Sequence, residues 1–218
     1  MEPPYQRIPL GPRSVLAVQD MGAVPCPPET FAAIMAQRQT SQYTFPYFGR
    51  QIPIPRGQLF FSFDPRLTGY PYSKTTIPAQ LIQPNDVGPI LDLMRSAVAT
   101  AERAYDHMAQ QLGWTSPRPV FNGILVNIYA TGSDYVSPHS DDEGVLVPFA
   151  PIVTMSYGET RKFAVYKKGA TRQHAHVDLK DQSVCVMAGA MQTEYEHSIT
   201  KAATVGPRIS LTVRAFRV

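Results

Sequence analysis

At 218 residues, with 44% hydrophobic and 10% aromatic content, the chain has the composition of a globular protein and the length for one well-cored domain, with no composition break at which to divide it. Its 21 prolines and 14 glycines favour turns and short strands over a helix bundle, and the lack of a charged leader or of an apolar run of ~18 residues sets the expectation of a soluble intracellular protein, cytoplasmic or nuclear, with no membrane partner. A net charge of +3 is too small for an arginine-rich polyanion binder, and the two cysteines, Cys26 and Cys185, make no metal-ligand spacing and are expected as free thiols.

Residues 1–27 are proline-rich and lack periodicity, which predicts an irregular arm; residues 28–218 are expected to form a single domain. Pro28 to Gln37 reads as a short helix, with Phe31, Ile34 and Met35 on one side. From 43 to 84 the chain is aromatic, basic and rich in proline, as expected of short strands and ordered loops where a substrate is recognised. Val87, Ile90, Leu91, Met94, Ala97, Val98, Ala101, Tyr105, Met108 and Leu112 recur at three- and four-residue steps. They predict a helix over 86–112, capped by Asp86, ended by Gly113 and backing a sheet.

Beyond Pro119 the pattern is β. Segments 120–130, 152–157, 162–166, 175–179, 183–188, 193–200 and 208–216 are short, β-branched or aromatic, and separated by turn residues. The expected class is α+β, mainly β: a double-stranded β-helix, or jelly roll, with helices packed on one sheet and a catalytic core over 120–216. No heptad or exposed apolar repeat is visible, so a monomer is expected.

Within this β region, His139 and Asp141 stand two apart, and on a strand such residues share a side. His197 supplies a third ligand. Two imidazoles and one carboxylate make the facial triad of non-haem Fe(II) oxygenases, which leaves positions for a bidentate co-substrate and dioxygen. Along the last strand Arg208, Ser210, Thr212 and Arg214 share one face, and Ile209, Leu211 and Val213 the other. An inward guanidinium can fork a carboxylate, so triad and arginine together imply a dicarboxylate co-substrate such as 2-oxoglutarate. Two basic clusters, Arg161, Lys162, Lys167, Lys168 and Arg172, and Arg50, Arg56 and Arg66, read equally as a nucleic-acid footprint and as a solvated face. His174 and His176 read as exposed strand histidines rather than as a second metal site.

These residues also carry a family resemblance. The run Phe121-Asn122 through Asn127, Tyr129, Gly132, Asp134 and His139-Ser-Asp141-Asp142-Glu143, then Ser156-Tyr-Gly158, His197-Ser198 and Arg208 to Arg214, resembles the AlkB-type Fe(II)/2-oxoglutarate dioxygenases across roughly 45–216. The resemblance implies His139, Asp141 and His197 as iron ligands and Arg208 on the distal carboxylate of 2-oxoglutarate. Asn127 and Tyr129 would hydrogen-bond that co-substrate, with Arg214 close by. Upstream, Phe48-Gly49-Arg50 to Arg56 and Tyr70-Pro-Tyr72-Ser73 are similar to the nucleotide-recognition lid of the family's nucleic-acid demethylases, here 43–84. Tyr72 would be a stacking platform for a flipped base, with Tyr70 and Arg56 toward phosphate, Ser73 beside them, and Asp142 or Glu143 toward the base edge. Phe48 stands where a duplex-acting relative carries an intercalating finger, while as a sequence position it reads rather as a core or loop-packing aromatic.

The activity implied is oxidative demethylation of 1-methyladenine and 3-methylcytosine in DNA or RNA, a DNA-repair type of reaction that needs Fe(II), 2-oxoglutarate and dioxygen, with ascorbate as reductant in vitro. A 2-oxoglutarate oxygenase of proteins or small molecules, and a non-catalytic nucleic-acid-binding protein, are the alternatives. The lid argues against the first, and the intact triad with Arg208 against the second.

Overall fold

In the computed structural model of the chain, residues 4–72, 75–203 and 205–218 are described, so Ser73 lies outside the described residues. The elements in chain order are β1 (Gln6–Ile8), β2 (Ser14–Gln19), α1 (Pro28–Met35), β3 (Thr44–Tyr47), β4 (Arg50–Pro53), β5 (Gly57–Ser62), β6 (Gly69–Tyr72), β7 (Thr75–Leu81) and α2 (Pro89–Leu112). There follow β8 (Gly123–Tyr129), β9 (Val136–His139), β10 (Ile152–Gly158), β11 (Arg161–Lys167), β12 (Gln173–Leu179), β13 (Val184–Gly189), α3 (Met191–Glu194), β14 (Tyr195–Ile199) and β15 (Arg208–Arg214). Among the described residues these make a nine-stranded sheet in the order β1-β2-β13-β10-β15-β8-β5-β7-β6, a four-stranded sheet β12-β11-β14-β9, and the separate hairpin β3–β4.

Strand alternation sorts the side chains into layers. Ile124, Val126 and Ile128 of β8, with Ile209, Leu211 and Val213 of β15, join Leu93, Met94, Ala97 and Ala101 of α2 in one core. The opposite face of the large sheet looks at the small one. Leu16, Val18, Tyr129 and Met187 from the large sheet pack there with Val136, Phe163, Val165 and Ile199 from the small one. This is the jelly-roll arrangement expected, with the helices outside and a space between the sheets that polar residues of β8 and β15 can line.

Several boundaries differ from expectation, each for a local reason. The arm over 1–27 is not irregular throughout: Val15-Leu-Ala-Val18 is a short, wholly buried apolar run, and β2 sits between β1 and β13. The long helix begins at Pro89 with Gly88 at its cap, because the Asp86 carboxylate instead accepts the Gln83 N–H at 2.8 Å. It ends as expected at Gly113, whose φ of 67° is left-handed. The 43–84 stretch is composite: β3–β4 is a separate hairpin, whereas every residue of β5 is buried in the large sheet. Both cysteines are free. Among the described residues no helix is long and apolar enough to cross a membrane.

Candidate metal and co-substrate site

β9 and β14 pair antiparallel with His139 opposite His197, which places the two rings 4.3 Å apart. The strand ends at His139, so Asp141 is not carried on its face, contrary to the simple alternation argument. Other contacts bring it back. Gln192 accepts the Asp141 N–H at 2.9 Å, the Ser140 hydroxyl donates to the Tyr195 carbonyl at 2.9 Å, and Arg214 Nη2 donates to Asp141 Oδ2 at 2.9 Å. One ligand atom each from His139, Asp141 and His197 then lies within 4.8 Å of the others.

The protonation states suit a metal. His139 Nδ1 lies 3.0 Å from the Ser137 carbonyl, which can only accept, so Nδ1 carries the proton and Nε2 offers its lone pair, 3.5 Å from Asp141 Oδ1. Burial, reinforced by the neighbouring His139, pushes the His197 pKa down to about 3, so its imidazole is neutral, as a ligand must be. Its Nδ1 is buried and has no hydrogen-bond partner among the described residues. Burial opposes ionisation of Asp141, but the Arg214 charge beside it prevails and holds the carboxyl well below its ordinary value. A neutral, part-unsatisfied imidazole, an oriented imidazole and an ionised carboxylate fit the Fe(II) donor set.

The co-substrate end of the cavity is built by β8 and β15. Arg208 is 1% exposed; its Nη2 donates to Ser156 Oγ at 2.9 Å, while Nε and Nη1 are buried without hydrogen-bond partners among the described residues. Leaving a donor buried and unpaired costs ~1–3 kcal/mol, so such a guanidinium is set to receive an anion. Asn127 has its Oδ1 occupied by Arg56 Nε at 2.6 Å and Gln58 Nε2 at 3.3 Å, which leaves the amide N–H groups as its contribution to the cavity. Asn127, Tyr129, Arg208 and Arg214 line one cavity with the three ligand residues.

The expected substrate residues divide. Tyr72 lines the cavity; its hydroxyl accepts from Arg56 Nη2 at 3.0 Å, and the Arg56 guanidinium lies 5.3 Å from its ring centre. Arg56 itself is 3% exposed and cannot reach phosphate, because its donors are committed to Asn127, Tyr72 and the Tyr135 carbonyl. Tyr70 likewise does not face phosphate: it is 1% exposed, hydrogen-bonds Glu143 and stacks on Tyr72. Burial raises the Glu143 carboxyl and the Tyr70 phenol above their ordinary values. Asp142 turns outward to Lys168 at 3.0 Å and does not line this cavity. Phe48 stands at the β3–β4 tip, 90% exposed with φ 44°, so it is not a core aromatic. Arg161, counted in a basic surface cluster, is 1% exposed and belongs to the interior.

Sequence reasoning quoted Ser156 without giving it a role and missed Gln192. The polar alternation of Thr154 and Ser156 along apolar β10 marked the cavity face; nothing in the sequence marked Gln192. A larger cavity of about 250 Å³ lies under the 141–151 loop and shares Asp141 and Arg214 with the site, but neither histidine nor Arg208 lines it.

Residues 29–214 match the 2OG-Fe(II) oxygenase superfamily. The chain belongs to that superfamily. AlkB-type proteins are among its relatives: it is 30% identical over 175 residues to the Mus musculus protein named DNA oxidative demethylase ALKBH2, covering 77% of this chain and 64% of that protein. The Homo sapiens protein of that name is 31% identical over 175 residues, at 77% and 59% coverage. The chain thus spans less than two thirds of the length of these relatives. A solved structure, "The structure of OsALKBH1", superposes with a TM-score of 0.58 over 97% of this chain and 100% of that one at 18% identity, which shows a shared fold.

Proposed function

We propose that this 2OG-Fe(II) oxygenase is an oxidative demethylase that removes N-methyl groups, as in 1-methyladenine and 3-methylcytosine, from DNA or RNA. The observation that carries the reading is one cavity holding the His139, Asp141 and His197 cluster, the unpartnered guanidinium of Arg208 and an aromatic face, Tyr72, at its rim. Resemblance to proteins named DNA oxidative demethylases supports the substrate class.

Fe(II) with 2-oxoglutarate and dioxygen would supply hydroxylation of the N-methyl carbon, with succinate and CO2 formed from the co-substrate and formaldehyde released from the resulting hemiaminal. His139, Asp141 and His197 would hold the ion. Arg208 would take the far carboxylate of 2-oxoglutarate as a fork along one edge, Nη1 or Nε together with the second N–H of Nη2, and the Asn127 amide would donate to the co-substrate. Arg214 keeps Asp141 ionised and immobile. Tyr72, held by Arg56, would stack on the flipped base, worth ~1–3 kcal/mol per base. Glu143, held by Tyr70, would be the carboxylate toward the base edge, since Asp142 is diverted to Lys168.

The test is formaldehyde release from matched single- and double-stranded oligonucleotides carrying 1-methyladenine, with Fe(II), 2-oxoglutarate and ascorbate. Product from the wild type that is lost in His139→Ala and Arg208→Ala supports the proposal. Turnover of 2-oxoglutarate that needs His139 but yields no product from any methylated strand would leave an oxygenase of another substrate.

A further inference from the structure

Arg161 opens β11 and is among the largest fully buried side chains, yet its bonded partners are all backbone carbonyls. Nη2 donates to Asp134 O at 2.7 Å and Thr200 O at 2.6 Å, Nη1 reaches Thr131 O at 3.5 Å, and Nε is buried without a partner among the described residues. The carboxylate of Asp134 acts on it only from a distance, because its oxygens are taken by Arg38 and by the Ala130 N–H. Arg208 has the same character, bonded to a hydroxyl and to no carboxylate. The two cations share one ring: their guanidinium centres lie 5.5 Å and 5.0 Å from the centre of Tyr129, a residue that lines the co-substrate cavity.

Two buried like charges around one aromatic ring are costly unless an anion joins them. Neither can swing away. Arg161 clamps the turn after β8 to the segment after β14, and these are already in contact: Gly132 O accepts the Ala202 N–H at 2.9 Å, and a Cβ on Gly132 would fall 2.0 Å from Ala202 O. Arg208 is walled by Ser156 and Tyr129. A ligand anion at Arg208 would supply the missing charge.

Resting on the reading of Arg208 as a carboxylate fork, we propose that Arg161 is a positioning residue for the co-substrate. With Arg208 it makes the floor around Tyr129 doubly cationic, so that the site selects a dianionic 2-oxo dicarboxylate over a 2-oxo monocarboxylate. Arg161 touches no substrate in this scheme; it acts through Tyr129 and through its charge.

The test is calorimetric binding of 2-oxoglutarate and of 2-oxopentanoate, which lacks the distal carboxylate, to the full chain loaded with Mn(II), so that no turnover is needed. Arg161→Gln is expected to lower the ratio of the two affinities about tenfold by weakening 2-oxoglutarate, with 2-oxopentanoate held within about twofold; Arg161→Lys, which keeps the charge, should hold the ratio within about threefold. An unchanged ratio in Arg161→Gln, or equal weakening of both ligands, overturns the proposal and leaves Arg161 a structural clamp. Should Arg161→Gln fail to fold, Arg161→Lys decides, since collapse of the ratio with the charge retained overturns it too. Arg208→Gln separates this proposal from the reading beneath it: preference for the dicarboxylate that survives Arg208→Gln sinks both, whereas preference lost there but kept in Arg161→Gln sinks only the role of Arg161.

Discussion

The floor and the rim of the cavity are built on different principles. The floor is made of strand residues from both sheets, His139 and His197 in register on one and Asn127, Tyr129 and Arg208 on the other, nearly all of them buried. The rim is made of a hairpin tip, a loop and the end of an edge strand: Phe48 at the exposed β3–β4 tip, Asp142 on the surface, and Tyr72 half-buried at the end of β6. Burial forces every polar atom to account for a partner, so an unpaired donor in the floor identifies the charge of its ligand. At the rim water can satisfy any group, and geometry alone identifies less.

Substitutions can break this contrast, and the largest effects belong to the floor. His139→Ala and Arg208→Ala should each lower kcat/KM at least ~100-fold, since removing one partner of a desolvated charge costs ~3–5 kcal/mol. Loss of 2-oxoglutarate binding in Arg208→Ala, measured by calorimetry, would locate the effect. Acid should also act through the floor. The folded-state pKa of His197 lies below its ordinary value of 6.5, so between 6.5 and about 3 the unfolded chain binds the extra proton. Stability is therefore complete above 6.5 and lost as pH falls, at up to ~1.4 kcal/mol per pH unit from this residue. Denaturant titration of the metal-free chain should show that slope, and His197→Leu should flatten it.

Arg56 joins floor to rim, and its replacement should fall between them. Arg56→Met frees both Asn127 and Tyr72, so the KM values for 2-oxoglutarate and for the oligonucleotide should rise together, about tenfold each. A change confined to one of them would show that the two ends are not coupled through this side chain. At the rim, Phe48→Ala should leave stability within ~0.5 kcal/mol and single-strand turnover within about twofold, while duplex turnover falls about tenfold for want of an apolar wedge. Smallest of all, Lys168→Ala removes an exposed ion pair with Asp142 and should shift stability by less than ~1 kcal/mol.

The same contrast governs how much could be read in advance. Period-two alternation from Arg208 to Arg214 foretold both the core face and the cavity face of β15, because a buried strand leaves each residue one side. His139 and His197 were legible as residue types; their pairing across β9 and β14 was not, since register belongs to the sheet. Asp141 was placed correctly for an incomplete reason: the strand stops short of it, and Gln192 and Arg214, distant in sequence, return it. Arg56 and Arg161 were misplaced because a basic residue in a charged, proline-rich or strand-edge stretch looks solvated, and only the fold reveals the carbonyls and amides that bury it. The β2 strand was hidden by the prolines on either side of Val15-Leu-Ala-Val18.

The central claim is that the His139, Asp141, His197 cluster and the Arg208 fork serve one reaction on a methylated base. Its most direct test is to quantify succinate and formaldehyde together while a 1-methyladenine strand is titrated into the Fe(II)-loaded chain with 2-oxoglutarate. One formaldehyde per succinate, both rising with the methylated strand and both absent in Arg208→Ala, is the predicted result. Succinate formed at a rate indifferent to the methylated strand, with no formaldehyde, would contradict it.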